Sequence, residues 1–349
     1  MTSRTAIVLF NLGGPDSLDA VRPFLFNLFD DPAIIRVPAL PRGMLAAFIA
    51  WRRAPTARSI YAQMGGRSPI QANTEAQARA LEQALGGAGE VKAFIAMRYW
   101  HPMTAETVAR VKEYAPTQVI LLPLYPQFST TTTASSYKLW GEEAARQGLN
   151  APQRLVCCYP TEPGLVTASA ELVQQGMARA KAEVPQAKPL IVFSAHGLPK
   201  KIAADGDPYV AQVKAGAGAL AARLGLAAGD WIVCYQSRVG PLEWVGPATD
   251  AVIAQAAKDQ RAIVVFPIAF VSEHSETLVE LDIEYRHLAE RHGAAAYVRV
   301  PTVSTHPAFI AGLAALVRTV IARDGAIQDG SGQAACAGWR RCACKESAR

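Results

Sequence analysis

Four short apolar runs in the first half of the chain return, in the same order and with similar endings, in the second half. IVLFNLGGP (7–15) parallels LIVFSAHGLP (190–199), and VKAFIAMRYWHP (91–102) parallels DWIVCYQSRVGP (230–241). VILLPLYPQFS (119–129) then parallels IVVFPIAFVSE (263–273), and RLVCCYPT (154–161) parallels YVRVPT (297–302). Each run is short, apolar and rich in β-branched residues, and each is closed by turn residues, which is the pattern of strands buried on both faces of a parallel sheet. Helical patterns such as TEAQARALEQAL and LVTASAELVQQGMARAKAEV lie between them. The alternation predicts an α/β fold of two similar Rossmann-like, doubly wound halves with parallel sheets: residues 1–165, residues 166–325, and a polar tail over 326–349. Open α/β sheets bind ligands at the carboxyl ends of their strands, so the cleft between the halves is the expected site.

The halves are unequal between their first and second strands, an interval that runs from 7 to 91 in one and from 190 to 230 in the other. The surplus contains PALPRGMLAAFIAWRRAPTARSIYAQMGGRSPI (38–70), where an apolar core from Met44 to Trp51 is bracketed by Arg42, Arg52 and Arg53. Two readings stand: a buried helix with a charged end, or a lip over 38–66 that covers an apolar ligand or touches a membrane surface.

With 50% hydrophobic and 18% charged residues over 349, the chain can bury a large core. A net charge of +6 suits an acidic small molecule, a nucleic acid or an anionic membrane. Nucleic acid is set aside, because no basic run with interleaved aromatics and no zinc-finger or RNP-type signature occurs. Without a secretory leader or an unbroken apolar run of about 18 residues, the chain is expected in the cytoplasm, with its six cysteines reduced or ligating metal.

His196, in SAHG, follows an apolar run directly and would project from a strand end toward the cleft. In FVSEHSETLVELDIEY (270–285), Glu273, Glu276, Glu280 and Glu284 are spaced three, four and four apart. Like charges on one helical stripe repel by a few tenths of a kcal/mol per pair. Asp282 and Arg286 compensate each other on the opposite flank, which leaves the stripe without a partner. An uncompensated acidic stripe beginning at a strand end reads as a path for cations or protons. In α-helical phase His274 falls on the core stripe, and only an irregular first turn would bring it round to the cleft. A His and a carboxylate would hold a divalent ion weakly, as suits an ion in transit. STTTTASS (129–136) is explained by helix capping, and the GGP turn lacks the G-x-G-x-x-G pattern of dinucleotide binding.

The tail places Cys336, Cys342 and Cys344 beside Arg340, Arg341 and Lys345, which favour thiolate. A soft-ligand cluster of four cysteines fits, with the fourth from elsewhere. Cys157 and Cys158 are adjacent on a strand and face opposite ways, so one of them would serve.

NLGGP (11–15), GGRSPI (65–70), FIAMRYWHP (94–102), SAHGLP (194–199), GDPY (206–209), YQSRVGPLEW (235–244) and PIAFVSEHSETLVELDIEY (267–285) together resemble the ferrochelatase family in order along nearly the whole chain. The resemblance implies insertion of ferrous iron into protoporphyrin IX to form haem, with His196 and Glu276 as the active-site pair and Glu273, Glu280 and Glu284 along an acidic path. It also implies a partly π-helical acidic segment that could bring His274 beside the site, and a lip facing porphyrin and membrane. Ser68, Arg98, Tyr99, Trp244 and Phe270 stand at motif positions that line the porphyrin pocket. The tail is similar to that of members carrying a 2Fe-2S cluster, with Cys336, Cys342, Cys344 and Cys158 as ligands and Cys157 as the alternative to Cys158. The expected assembly is a monomer or homodimer with peripheral membrane contact. The rival readings are a chelatase for another metal or for coproporphyrin, and a non-catalytic haem carrier or redox sensor.

Overall fold

The two sheets carry the same strand order. The computed structural model describes residues 4–86, 90–238, 240, 242–323, 327–328 and 342–343. In the first half, β1 (Arg4–Asn11), β2 (Glu90–Met97), β3 (Gln118–Pro123) and β4 (Gln153–Val156) form a parallel sheet in the order β2-β1-β3-β4. In the second half, β5 (Pro189–His196), β6 (Trp231–Gln236), β7 (Ala262–Pro267) and β8 (Ala296–Arg299) form a parallel sheet in the order β6-β5-β7-β8. All eight repeated runs are strands, and they are buried because helices cover both faces, which is why they read as continuous apolar stretches. The α/β, doubly wound expectation is met in both halves.

One strand has no counterpart in the repeat. β9 (Ile327–Gln328) extends the first sheet by pairing in parallel with β4, Leu155 opposite Ile327 and Val156 opposite Gln328. The chain thus returns from the second half to the edge of the first. The helix Pro307–Ala322 makes the same return, packing against the helix Ile70–Leu85 and against β3 and β4. The helix Pro163–Glu183, which links the halves, lies on β5, β7 and β8. It comes close at Gly176, where a Cβ would lie within 2.6 Å of Val300 and 3.2 Å of Val264.

The surplus segment forms the helix Ala39–Ala62, and its two faces are reversed relative to an ordinary surface helix. The buried positions are the small residues Ala46, Ala50 and Ala54, with Tyr61 beyond them. This face packs on the helix Val21–Phe29. The large apolar side chains point outward instead: Leu40 is 79% exposed, Met44 71%, Phe48 61% and Trp51 58%. Of the two sequence readings, the buried helix is therefore ruled out. Exposed apolar stripes of this kind mark surfaces that contact something else.

Candidate functional site

In each half the strand order reverses at the central strand, β1 or β5, and the crevice for a ligand opens at the carboxyl ends on either side of that reversal. The two crevices face each other across one cleft. From the first half it is walled by Leu12, Leu28, Ile34, Ile70 and Tyr99 and by the segment after β3 from Leu124 to Thr132. From the second half come His196, Leu198, Tyr209, the segment Ala269–Ser272, His274 and Glu276. The wall is predominantly apolar, and its ionisable groups are concentrated on one side.

His196 is the last residue of β5, in register with Gln236 at the end of β6. Its Nδ1 lies 2.8 Å from Glu276 Oε2, and the side chains remain 43% and 25% exposed. Glu276 opens a π-helix, Glu276–Glu284, that continues as the helix Tyr285–Arg291. Such i→i+5 turns are rare and concentrate at functional sites. The backbone before it, from 268 to 274, is not helical, and this irregularity carries His274 to the cleft wall despite its core phase in an ideal helix. There His274 is buried, with Nδ1 3.0 Å from the Ser272 carbonyl and its ring edge-on to Phe270.

Glu280 continues the line. Ser237, held at φ +60, stands between the two carboxylates. Its backbone N–H donates to Glu280 Oε1 at 2.9 Å, and its hydroxyl is within reach of both Glu276 Oε2, at 3.0 Å, and Glu280 Oε2. Gln236 Nε2 and the Tyr285 hydroxyl also donate to Glu280, each at 3.0 Å. A non-glycine residue in the left-handed region is strained by about 1–3 kcal/mol, and such strain is kept where the surroundings over-determine it. Beyond Glu280 a polar depression of about 560 Å³, bordered by Lys200, Arg238, Trp244 and Asp250, opens to solvent.

The charges on this line shape one another. Burial opposes the imidazolium at His196, but the Glu276 and Glu280 carboxylates outweigh it and raise the pKa. Burial likewise opposes ionisation of Glu276, yet His196, His274 and the Ser237 hydroxyl bring it down to about 2. Glu280 moves the other way, raised first by burial and then by the Glu276 charge. Tyr61, at the end of the lip helix, reaches this region as well: burial pushes its hydroxyl up to about 12, with the Glu276 charge adding to the rise.

The remaining expected residues separate into groups. Tyr99 and Phe270 line the cleft directly. Arg98 stands behind the wall, paired at 2.8 Å with the buried Asp31, which also accepts hydrogen bonds from Tyr99 and Ser135. Ser68 is buried against Gly14, where a Cβ would come within 2.6 Å of it, so NLGGP and GGRSPI meet because Gly14 has no side chain. Trp244 borders the polar depression. Glu273 departs from the expectation that nothing basic answers the acidic run, because Arg299 on β8 pairs with it at 2.7 Å and the Thr302 N–H donates to it. Glu284 is exposed. Sequence reasoning missed Ser237, Arg299 and Tyr209, whose hydroxyl donates to the His196 carbonyl at 3.0 Å. Tyr209 and Ser237 sit in GDPY and YQSRVGPLEW, the only signal that could have found them.

Of the tail cysteines, Cys336 and Cys344 lie outside the described residues. Cys342 is buried against the end of β4, its sulfur 3.3 Å from that of Cys157, too far for a disulfide at about 2.05 Å. Cys158, also buried, faces Gln212, whose Nε2 lies 3.3 Å from its sulfur. Among the described residues no group of three or more His, Cys, Asp or Glu is placed to hold a metal ion.

Comparison with known proteins follows the same lines. The fold is similar to SirB from Bacillus subtilis with Fe3+ (TM-score 0.53, 13% identity, 92% of this chain and 96% of that one). It is also similar to the sirohydrochlorin chelatase SirB from Bacillus subtilis subspecies spizizenii in complex with cobalt (TM-score 0.51, 10% identity, 91% and 94%). In sequence, the chain is 53% identical to a ferrochelatase of Caulobacter vibrioides strain NA1000 / CB15N over 100% of this chain and 99% of that protein. It is 51% identical to the ferrochelatase of Phenylobacterium zucineum over 98% of each. The ferrochelatase family model matches residues 4–321, from β1 through the last residues of the helix Pro307–Ala322. With the eight repeated strands, the cleft and the acidic π-helix inside that match, the chain belongs to the ferrochelatase family.

Proposed function

We infer that the protein inserts ferrous iron into a porphyrin in haem synthesis, releasing the two protons of the inner nitrogens. The observation that carries this reading is the His196–Glu276 pair at the ionisable side of an otherwise apolar cleft. A porphyrin is flat and apolar, so the walls suit its faces, and its propionates suit the arginines of the lip. Protoporphyrin IX, without further carboxylates, fits an apolar wall best. With Nδ1 of His196 engaged by Glu276, Nε2 is the nitrogen left for the substrate. Burial notwithstanding, the neighbouring carboxylates raise the pKa of that imidazole, whose side chain is still 43% exposed. A ring seated over it removes more water, which pushes His196 toward the neutral form that can accept a proton. Glu276, Ser237 and Glu280 then offer a route to the polar depression, Ser237 carrying one hydroxyl proton between two carboxylates. Glu284, exposed on the same helix, extends that route to the surface, while Glu273 fixes the segment through Arg299. Iron, as substrate, needs only transient ligands, for which His196 and Glu276 serve. Anaerobic assay with ferrous iron and several porphyrins tests the reading: haem forms from protoporphyrin IX, and a preference for coproporphyrin or for cobalt would replace it.

Two finer features belong to the same proposal. The outward stripe Leu40, Met44, Phe48 and Trp51, with Arg52 and Arg53 beside it, suits peripheral contact with an anionic membrane. No helix among the described residues is long and apolar enough to cross one. The buried sulfurs beside Cys342 fit a 2Fe-2S cluster held by Cys158, Cys336, Cys342 and Cys344, with Cys157, whose sulfur lies 3.3 Å from that of Cys342, as the alternative to Cys158. Such a cluster would supply a redox-sensitive, covalent tie between the tail and the first sheet. As-purified protein should absorb in the visible region and lose that colour in Cys344→Ser; active, colourless, iron-free protein would remove the cluster.

A further inference from the structure

Between the cysteines and the cleft lies one buried carboxamide. Gln212, in the first turn of the helix Tyr209–Leu224, is nearly inaccessible to solvent. The Phe128 N–H sits 2.7 Å from one end of its amide, and Cys158 Sγ sits 3.3 Å from the other. A backbone N–H can only donate, so the end facing Phe128 must be Oε1. That assignment leaves Nε2, a donor, for the sulfur.

The Phe128 end of this bridge and the start of the helix that carries Gln212 are both tied to the site. Phe128 stands between Gln127 and Ser129, which line the cleft. The same helix start carries Tyr209, whose hydroxyl donates to the His196 carbonyl. Asp207, buried just before it, gathers Ser129 Oγ at 3.0 Å, the Thr130 N–H and hydroxyl each at 2.7 Å, and the Tyr209 N–H at 3.0 Å. One helix terminus is thereby fastened to the sulfur, to the cleft wall of the first half and to the strand end that bears His196.

We propose that Gln212 is a positioning residue that couples the state of Cys158 to the geometry of the porphyrin cleft. This rests on the cysteine-cluster reading above and specifies what a metal at those cysteines does to the enzyme. With Cys158 as the ligand, its thiol gives up its proton to metal binding and becomes a stronger acceptor for Nε2. The amide cannot turn, because Oε1 is held by Phe128, so the pull is transmitted to residues 127–130. Coupling between sites is reciprocal, so porphyrin in the cleft alters the energy of the sulfur by the same amount.

The test is a double-mutant cycle read on porphyrin affinity, by fluorescence of the bound ring in the full-length protein, using wild type, Cys158→Ala, Gln212→Glu and the double variant. Gln212→Glu keeps the acceptor for Phe128 and removes the donor to sulfur. Where it does not fold, Gln212→Leu, which adds no charge, takes its place. A hydrogen bond of ordinary net worth corresponds to about a three- to tenfold change. Cys158→Ala should weaken porphyrin binding by about that factor in the wild-type background and by less than about twofold once Gln212 is replaced. Equal weakening in both backgrounds overturns the link. Visible spectra and iron and sulfide contents of the same samples decide the cluster separately. A colourless wild type with a coupled cycle removes the cluster and keeps the link, whereas a coloured wild type with an additive cycle does the reverse.

Discussion

His196 and Glu276 hold each other in opposite charge states, and the sign of that effect sets its pH window. Glu276, lowered from 4.5 to about 2, contributes stability that is present above its ordinary value and lost as pH falls toward 2. His196, raised above 6.5, contributes stability that is present below that value and lost as pH rises through its elevated pKa. The pair therefore stabilises most between about 4.5 and 6.5 and loses its effect on either side. In Glu276→Gln the His196 titration followed by NMR should move to lower pH, and an unmoved midpoint would contradict the pairing. Ser237→Ala removes the one hydroxyl shared by Glu276 and Glu280; turnover should fall by at least about tenfold with porphyrin affinity unchanged, and unaltered turnover would remove Ser237 from the proton route. In the sequence a strand end marks His196 locally, whereas the charge run marks four glutamates alike and only the family resemblance singles out Glu276 among them. Arg299 was not legible, since it answers Glu273 from β8 across a contact that no local pattern announces. His274 was misphased by an ideal helix and is explained by the non-helical backbone before it.

At the level of elements, the repeat made all eight main strands readable, whereas β9 is two residues long and carries no periodicity of its own. The lip was readable as an apolar segment bracketed by arginines, but not which of its faces would be buried. Its alanines pack because small residues let it lie close on the helix Val21–Phe29, which leaves the large side chains outside. Replacing Phe48 and Trp51 together by Glu should cut sedimentation with anionic lipid vesicles by about tenfold or more, and unchanged sedimentation would detach the lip from the membrane. Close approach sets a second test. Gly176→Val drives a side chain into Val300 and Val264 and should cost about 1–3 kcal/mol in urea unfolding; a variant as stable as wild type would show that the helix Pro163–Glu183 can lift away without penalty.

For the whole molecule, the matching strand orders place two switch points face to face, and this makes the cleft a consequence of topology before any site residue is considered. That much followed from the sequence. The fastening of one half to the other by Asp207 and Gln212 did not, because neither belongs to a charge run and their partners lie in the loop after β3. The central claim is that the His196–Glu276 pair removes the protons that iron replaces. It is tested most directly by anaerobic haem formation from ferrous iron and protoporphyrin IX in wild type, His196→Ala and Glu276→Gln, with porphyrin binding measured on the same preparations. Both variants should bind the porphyrin and lose at least about a hundredfold in turnover; full turnover in either would contradict the account.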